Sequence, residues 1–360
     1  AGEVQLSTST VQVSARQQAQ NYFRMTHQEW KLCYDKAQRR INNLSEKIRL
    51  IVKEVKKSAK GSSQLLGELV NLHEQRDKHL IRLDRLNCTG KMYSNVGNFD
   101  PIKARDNLEN SFITEAEIVF STLSSSAKKV FDRLKLNFEV VLIDEAAQAS
   151  EIESLQPLQY GAKHAVLVGD PQQLPATVLS QNAAEALYER SLLERLESAG
   201  YPTIQLQEQF RMHPEIREFP SNFFYEDKLF DSDSIAERSA PMYQQNDEVL
   251  KPYMLFHVSG KQERNPSGSL ANDAEVDFVV ALYDHLIKSD AGPGVHGNRG
   301  YNVGIITPYR YQRDKIQAAM IEKYGHVGEG SQASNVRIDT IDSFQGKERD
   351  VIILSCVRSG

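Results

Sequence analysis

The run Phe138-Glu-Val-Val-Leu-Ile-Asp144-Glu145-Ala-Ala-Gln148 constrains this chain more than any other stretch. Val140 to Ile143 is short, aliphatic and β-branched, the composition of a strand buried on both faces, as parallel sheets use. Two carboxylates follow at its C-terminal end, where open α/β sheets bind ligands. Side chains diverge where a strand turns into a loop, so Asp144 can hold a hydrated Mg²⁺ while Glu145 faces an attacking water. An acidic pair after a strand also serves to cap the following helix, and the pair alone allows both readings.

The surroundings of the pair narrow the choice. Downstream, Ala165-Val-Leu-Val-Gly169 reads as a second buried strand, and it ends in Asp170-Pro-Gln-Gln173-Leu-Pro175. A helix-length segment separates the two runs, so they form one β-α-β unit with polar residues at both strand tips. The strings Asp-Glu-Ala-Ala-Gln and Gly-Asp-Pro-Gln-Gln-Leu-Pro resemble motifs II and III of superfamily 1 helicases, the first being a Walker B sequence with an added catalytic base.

The chain has 360 residues, enough for two to three domains with sizeable cores. A net charge of −5 argues against a strongly basic nucleic-acid binder, yet the charge is unevenly placed. Residues 14–91 carry 17 Lys and Arg against 8 Asp and Glu, a local +9 that leaves −14 for the rest. No run of about 18 apolar residues occurs and no signal peptide opens the chain, so no membrane association is expected. Cys33, Cys88 and Cys356 show no metal-ligand spacing, which fits a reducing compartment.

Residues 1–15 show no capped periodic element. From Trp30 the apolar positions Trp30, Tyr34, Ala37, Ile41, Leu44, Ile48, Ile51 and Val55 alternate in steps of four and three, the seam of a long helix. Gly61-Ser-Ser63 breaks it, and Leu65, Leu69, Leu72, Leu80, Leu83 and Leu86 carry a second pattern, which predicts an antiparallel helical hairpin. A solvated structural hairpin and a nucleic-acid-contacting protrusion are both compatible with its basic faces. Residues 88–113 read as a turn-rich connector, Ala116–Phe120 as a strand, and Ser121-Thr122 as the polar lead into a helix beginning near Ser125. Hydroxyls and free N–H groups there suit phosphate, although Ser and Thr are also the ordinary N-caps.

Asn182 to Ser198 is predicted as one helix closed by Gly200, and Pro202 as a domain junction. Ile204 to Gln209 alternates like a strand and leads to Phe210-Arg211-Met-His-Pro214, where a helix starts at the proline. An Arg facing a triphosphate is suited to neutralise charge developing on the γ-phosphate; its plainer reading is a surface Arg. Residues 226–300 are loop-rich, with a strand at Met254–Val258 and a helix at Ala274–Ile287. Asn302–Ile306 reads as a buried strand, followed by Thr307-Pro-Tyr309-Arg-Tyr-Gln312 and a helix to Ile321. The last element is Val336 to Asp350, containing Thr340-Ile-Asp-Ser343-Phe-Gln-Gly346-Lys-Glu348, then the strand Val351–Leu354. Gly346 permits a tight turn and Glu348 could accept ribose hydroxyls.

From about Glu115 to Ser359 these ordered motifs resemble a superfamily 1B helicase of the senataxin-like group, close to the nonsense-decay RNA helicases. The resemblance implies an α/β fold of two RecA-like parallel-sheet domains, both incomplete, with an inserted α-helical hairpin. The expected divisions are 1–113 for the prong-like hairpin insertion and connector, 114–201 for the first RecA-like domain and 202–360 for the second. No Gly-x-x-x-x-Gly-Lys-Ser/Thr string is present to cradle phosphates, and Gly90-Lys91-Met92 and Gly346-Lys347-Glu348 lack its other elements. Motif VI would lie beyond Gly360, and the family's upstream 1B barrel and stalk are missing too. The chain is therefore expected to be an internal fragment, inactive alone.

In the parent enzyme the resemblance implies ATP and Mg²⁺ as cofactors. Asp144 would hold Mg²⁺ through water, Glu145 would activate the attacking water, Gln173 would sense the γ-phosphate and Arg211 would be the arginine finger. Gln209, Phe210, Gly346 and Glu348 would line the nucleotide site. Ser121, Thr122, Thr307, Tyr309, Thr340 and Ser343 would grip single-stranded RNA or DNA by backbone and stacking contacts. The implied activity is 5′-to-3′ translocation that unwinds RNA–DNA hybrids and releases RNA polymerase in transcription termination, by a nuclear monomer that meets the transcription machinery. A nonsense-decay-type RNA helicase, which would also admit a cytoplasmic location, and an ATPase-dead nucleic-acid-binding module are the alternatives. A dehydrogenase is disfavoured by the lack of Gly-x-Gly-x-x-Gly after a strand.

Overall fold

The computed structural model describes residues 5–8, 11–57, 63–93, 99–128, 131, 137–236, 249–290, 301–325 and 335–358, which fall into two units, Ala1–Pro202 and Thr203–Gly360.

The first unit opens with an element the sequence did not announce. β1 (Gln5–Thr8) and β2 (Val11–Ser14) pair antiparallel, and β1 also takes the short β3 (Val119–Phe120) on its other edge. The strand expected over Ala116–Phe120 is thus confined to its last two residues. Ser14 ends β2 and caps α1 (Ala15–Arg24), its hydroxyl accepting the Gln17 N–H at 3.1 Å.

α2 (His27–Lys57) and α3 (Ser63–Gly90) are the two long helices that the spacing predicts. Ala37, Ile41, Leu44, Ile48 and Ile51 are all buried, and Leu44, Ile48 and Ile51 pack with Leu72, Leu65 and Leu69 of α3. The helices run antiparallel, since Trp30 near the start of α2 donates its indole N–H to the Leu86 carbonyl near the end of α3 at 2.8 Å. Leu80 departs from the pattern by being exposed. The predicted break at Gly61-Ser-Ser63 lies outside the described residues apart from Ser63, which opens α3.

The connector expected over 88–113 is largely helical instead. α3 runs on through Gly90, a 3-10 turn covers Lys91–Tyr93, and α4 occupies Pro101–Thr114. Asp100 caps α4, accepting the N–H groups of Ile102 and Lys103, and Pro101 fills the first helical position, where its missing N–H costs nothing. Ala104, Leu108 and Ile113 form its buried face. Arg85 binds α3 to α4: its guanidinium donates to Ser111 and Glu115 and stacks 3.8 Å over the Phe112 ring.

After α5 (Leu123–Ser126), β4 (Val140–Ile143), α6 (Glu151–Leu158) and β5 (His164–Leu167) form the expected β-α-β unit. The strands are parallel, with Val140 opposite His164 and Ile143 opposite Leu167. The expectation of burial on both faces fails: Val141 and Ile143 are buried, whereas Val140 and Leu142 stand 64% and 65% exposed, and the expected burial of the second strand fails too, with His164, Ala165 and Val166 of β5 all exposed at this sheet edge. Among the described residues nothing packs over that second face, so the aliphatic strand behaves as one with a covered side and a bare one. The single helix predicted for Asn182–Ser198 is two, α7 (Gln181–Glu185) and α8 (Leu192–Ser198), because Leu187 takes a left-handed φ of +61° and Ser191 caps a fresh start.

In the second unit the strand expected over Ile204–Gln209 shrinks to β6 (Glu208–Gln209), with Ile204 and Leu206 91% and 80% exposed. α9 (Pro214–Phe224) starts at the proline, and β7 (Phe230–Asp231) pairs parallel with β6 before the one-turn α10 (Asp233–Ala236). Met254–Val258 forms no strand; the pairing falls to β8 (Gln262–Arg264) and β9 (Leu270–Asn272), a hairpin turned at Asn265-Pro-Ser-Gly268.

The core of this unit follows. α11 (Asp273–Asp290), β10 (Val303–Thr307), α12 (Arg310–Tyr324), β11 (Val336–Thr340), the one-turn α13 (Ile341–Phe344) and β12 (Val351–Leu354) build a parallel sheet in the order β11-β10-β12. Val303, Ile305, Val336 and Ile353 pack with Val276, Val279 and Tyr283 of α11 and with Ile316 and Met320 of α12. The architecture is a mixed α/β fold with small parallel sheets.

Candidate functional site

In the first unit β4 and β5 end side by side and are tied at their tips. Val168 N–H donates to the Ile143 carbonyl at 2.9 Å and Ala146 N–H donates to the Val168 carbonyl at 2.7 Å. Gly169 lies on this seam: a Cβ there would sit 2.7 Å from the Ala147 nitrogen and 3.0 Å from that of Ala146. No larger residue fits without moving backbone.

Asp144 and Glu145 project from the tip, both exposed. Glu145 has a φ of +53°, a left-handed conformation unusual for a residue with a side chain and typical of functional sites. Its Oε2 accepts from Gln148 Nε2 at 2.6 Å, which fixes the carboxylate, while Oε1 accepts nothing among the described residues. Asp144 Oδ1 accepts the Glu145 N–H at 3.1 Å, and Oδ2 accepts nothing among the described residues. Mg²⁺ is held by one or two carboxylates together with water and phosphate oxygens, and an exposed carboxylate with one open oxygen fits that requirement. Among the described residues no three His, Cys, Asp or Glu side chains cluster into a metal cage of their own.

The loop after β5 folds back on Asp170. Its Oδ1 accepts the Gln172 N–H at 3.0 Å, an Asx turn, and its Oδ2 accepts from Gln173 Nε2 at 2.8 Å. The amide nitrogen of exposed Gln173 is thereby anchored to Asp170. Glu151 of α6 accepts two hydrogen bonds from Arg195 of α8, both 2.7 Å, and bonding to that guanidinium holds its carboxyl below the usual glutamate range.

Ser121 and Thr122 stand exposed ahead of α5. Thr122 Oγ1 accepts the Ser125 N–H at 3.3 Å, so it does act as an N-cap, and Ser121 Oγ donates to the Thr122 carbonyl at 3.0 Å. A cleft of about 130 Å³ runs beside them along β4, lined by Leu123, Phe138, Val141 and Tyr160 among others.

In the second unit Gln209 organises the loop that carries Arg211. Its Oε1 accepts the N–H groups of Arg211 and Met212 at 2.9 and 2.7 Å, and its Nε2 donates to the Met212 carbonyl at 2.7 Å and to Asp231 Oδ1 at 2.6 Å. Every hydrogen-bonding position of this amide is occupied within the protein. Phe210 is left exposed beside it. Arg211 Nε donates to Glu348 Oε2 at 2.6 Å, in the turn that Gly346 opens with a φ of +72°. Arg211, Glu348 and Gly346 are thus brought together, while Gln209 and Asp231 hold the loop from behind. Sequence reasoning missed Asp231 and Gln148; the Glu145-to-Gln148 spacing of one 3-10 turn was the available signal for the latter.

The hydroxyl residues of this unit gather at the C-terminal ends of β10 and β11. Thr307 and Thr340 lie in register on neighbouring strands and are both buried. Thr340 Oγ1 donates to Ser343 Oγ at 3.2 Å, which brings the exposed Ser343 to the same edge. Tyr309, half-buried, leads into α12. The residue sequence reasoning missed here is Arg358, whose guanidinium lies 5.9 Å from the centre of the Tyr309 ring.

Two families, each described as an AAA domain, match the chain, one over residues 2–181 and the other over 188–360. Helicase sen1 of Schizosaccharomyces pombe is 40% identical to it over 256 residues, 71% of this chain and 15% of that protein. Probable helicase senataxin of Homo sapiens is 33% identical over 267 residues, 70% of this chain and 9% of that protein. Regulator of nonsense transcripts 1 of Dictyostelium discoideum is 33% identical over 293 residues, 81% of this chain and 21% of that protein. The chain spans a minor part of the length of each.

Proposed function

This chain belongs to the senataxin-like branch of the superfamily 1 helicases, and on that premise we propose that it carries the hydrolytic and strand-gripping residues of an ATP-dependent 5′-to-3′ RNA/DNA helicase. The whole protein would translocate on single strands, unwind RNA–DNA hybrids and act in transcription termination in the nucleus, as a monomer that meets the transcription machinery. The observation that carries this reading is the tied pair of strand tips, which presents Asp144, Glu145 and Gln173 from one seam.

In this reading Asp144 would hold Mg²⁺ through water, the ion supplying neutralisation of phosphate charge, and Glu145 takes the proton of the attacking water. Gln173 offers its side-chain carbonyl to the hydration around the γ-phosphate. Arg211 leaves Glu348 to meet the charge that develops there, and Phe210 and the Gly346–Glu348 turn line the nucleotide. Gln209, proposed from sequence as a nucleotide contact, serves better as the clamp of that loop because its amide is fully engaged. Ser121, Thr122, Tyr309 and Ser343 contact the strand, with buried Thr307 and Thr340 shaping the edge. The α2–α3 pair is the prong-like insertion, its basic faces directed to nucleic acid.

The test is nucleic-acid-stimulated ATP hydrolysis by the full-length gene product beside this 360-residue chain, each with Glu145→Gln. Turnover by the long product alone, abolished by Glu145→Gln, is the expected result; turnover unaffected by that substitution would sink the assignment. Likeness to a regulator of nonsense transcripts over 81% of the chain favours a second reading, an RNA helicase of nonsense decay. A preference for RNA duplexes over RNA–DNA hybrids in the same full-length product would select it.

A further inference from the structure

Val357, just past β12, is a buried β-branched residue with a φ of +68°. Side chains of its kind rarely enter that region. The Arg358 N–H donates to the Cys356 carbonyl at 2.8 Å across it, which closes a γ-turn of the strained, positive-φ form. Such a turn persists only where its surroundings hold it.

A buried polar frame does so. Glu275, 8% exposed, accepts on Oε2 both the Val357 N–H at 2.9 Å and the Ser355 hydroxyl at 2.7 Å. Asn272 Nδ2 donates to Glu275 Oε1 at 3.3 Å and to the Val357 carbonyl at 3.4 Å. Gln312, fully buried, accepts the Asn272 N–H at 2.8 Å and donates to the Asn272 carbonyl and the Ser355 hydroxyl at 3.3 and 3.0 Å. Side chains from β9, α11 and α12 thus fix both backbone groups of one strained residue, and a satisfied network in a low-dielectric interior is rigid.

The turn aims Arg358. This exposed side chain has no ion-pair partner among the described residues, and its guanidinium lies 5.9 Å from the Tyr309 ring centre, within cation–π range. Exposed Ser343 stands at the same C-terminal sheet edge as Thr307 and Thr340. We infer that Arg358 grips a backbone phosphate of a single strand lying across the β11-β10-β12 edge, with Tyr309 supporting the guanidinium plane and Glu275 acting as the positioning residue behind the turn. A planar guanidinium fork presents two donors to a phosphate, which a lysine does not. The inference deepens the proposed function and rests on it.

The test is fluorescence anisotropy of a short labelled oligouridine strand with the full 360-residue chain over a salt series. Arg358→Ala is expected to weaken binding about tenfold and to reduce the salt slope by about one; Arg358→Lys is expected to restore the slope but not the affinity. Glu275→Gln should weaken binding by itself and add nothing on top of Arg358→Ala, a coupling that a merely structural role does not produce. Wild-type affinity and slope in Arg358→Ala overturn the inference, and additive losses in the double variant overturn the role of Glu275. A wild-type chain that binds no strand overturns the proposed function as well, a result distinct from the others.

Discussion

Arg211 and Glu348, 137 residues apart in the chain, meet in an ion pair of 2.6 Å while both stay largely exposed, at 71% and 67% of their side-chain surface. An ion pair so open to water contributes less than about 1 kcal/mol, so the arginine is parked there rather than locked. Removing the guanidinium with Arg211→Ala should therefore leave thermal unfolding nearly unchanged, yet lower kcat of the full-length enzyme by about 10³- to 10⁵-fold. Differential scanning calorimetry and steady-state hydrolysis read the two sides; a large Tm loss would mean that the residue is structural.

The clamp behind that arginine gives a different signature. Gln209→Leu keeps the volume but strips four hydrogen bonds from the loop and from Asp231. Mispositioning Arg211 by an ångström is expected to cost on the order of 10²-fold in kcat with little change in KM. A rise in KM at constant kcat would instead assign Gln209 to direct nucleotide binding.

Gly169 sets the distance between the two catalytic strand tips. Its would-be Cβ falls 2.7 Å from a backbone nitrogen, where no flexible side chain can yield, so Gly169→Ala must push the Ala146–Ala147 turn outward. The expected result is a loss of about 1–3 kcal/mol in denaturant unfolding, together with loss of hydrolysis in the parent enzyme. Full activity in the alanine variant would show that the seam is looser than drawn.

Acid should act through Glu151. Hydrogen bonds from Arg195 hold its carboxyl below the usual glutamate range, so the folded state favours the ionised form more than the unfolded chain does. That stabilisation is complete above the unfolded value and is lost as pH falls through the folded one. Glu151→Gln should lower Tm at neutral pH, and the gap to wild type should close on acidification; a gap that widens in acid would contradict the sign.

At the root of the long helices, Leu86 is fully buried and offers its carbonyl to Trp30. Leu86→Ala is expected to destabilise the first unit by about 2–5 kcal/mol, measurable by urea unfolding followed at the single tryptophan, Trp30.

What could be read ahead of the structure was whatever repeats locally. The seam from Trp30 to Val55 announces its helix because eight side chains share one face, and Val303 to Thr307 announces its strand because five aliphatic or small residues in a row can pair on both edges. α4 was missed although Asp100-Pro101 spells its start, since the turn-rich residues before it drew the reading toward a connector. The break at Leu187 carries no glycine or proline to mark it. The bare side of β4 depends on what packs above it, which a strand's own residues do not state. Least legible were the contacts closed over distance: Asn272 reaches Gln312 across 40 residues and Glu275 reaches Val357 across 82.

The first-unit helices also have a mechanical consequence. With 31 residues, α2 extends about 46 Å at ~1.5 Å per residue from its start beside Trp30. Its root is stiffened by the Trp30–Leu86 bond and by Arg85 straddling α3 and α4. A tilt of about 5° at that root sweeps the far end through about 4 Å, roughly the spacing of neighbouring bases along a strand, so a movement barely visible at the pivot is a full nucleotide at the tip.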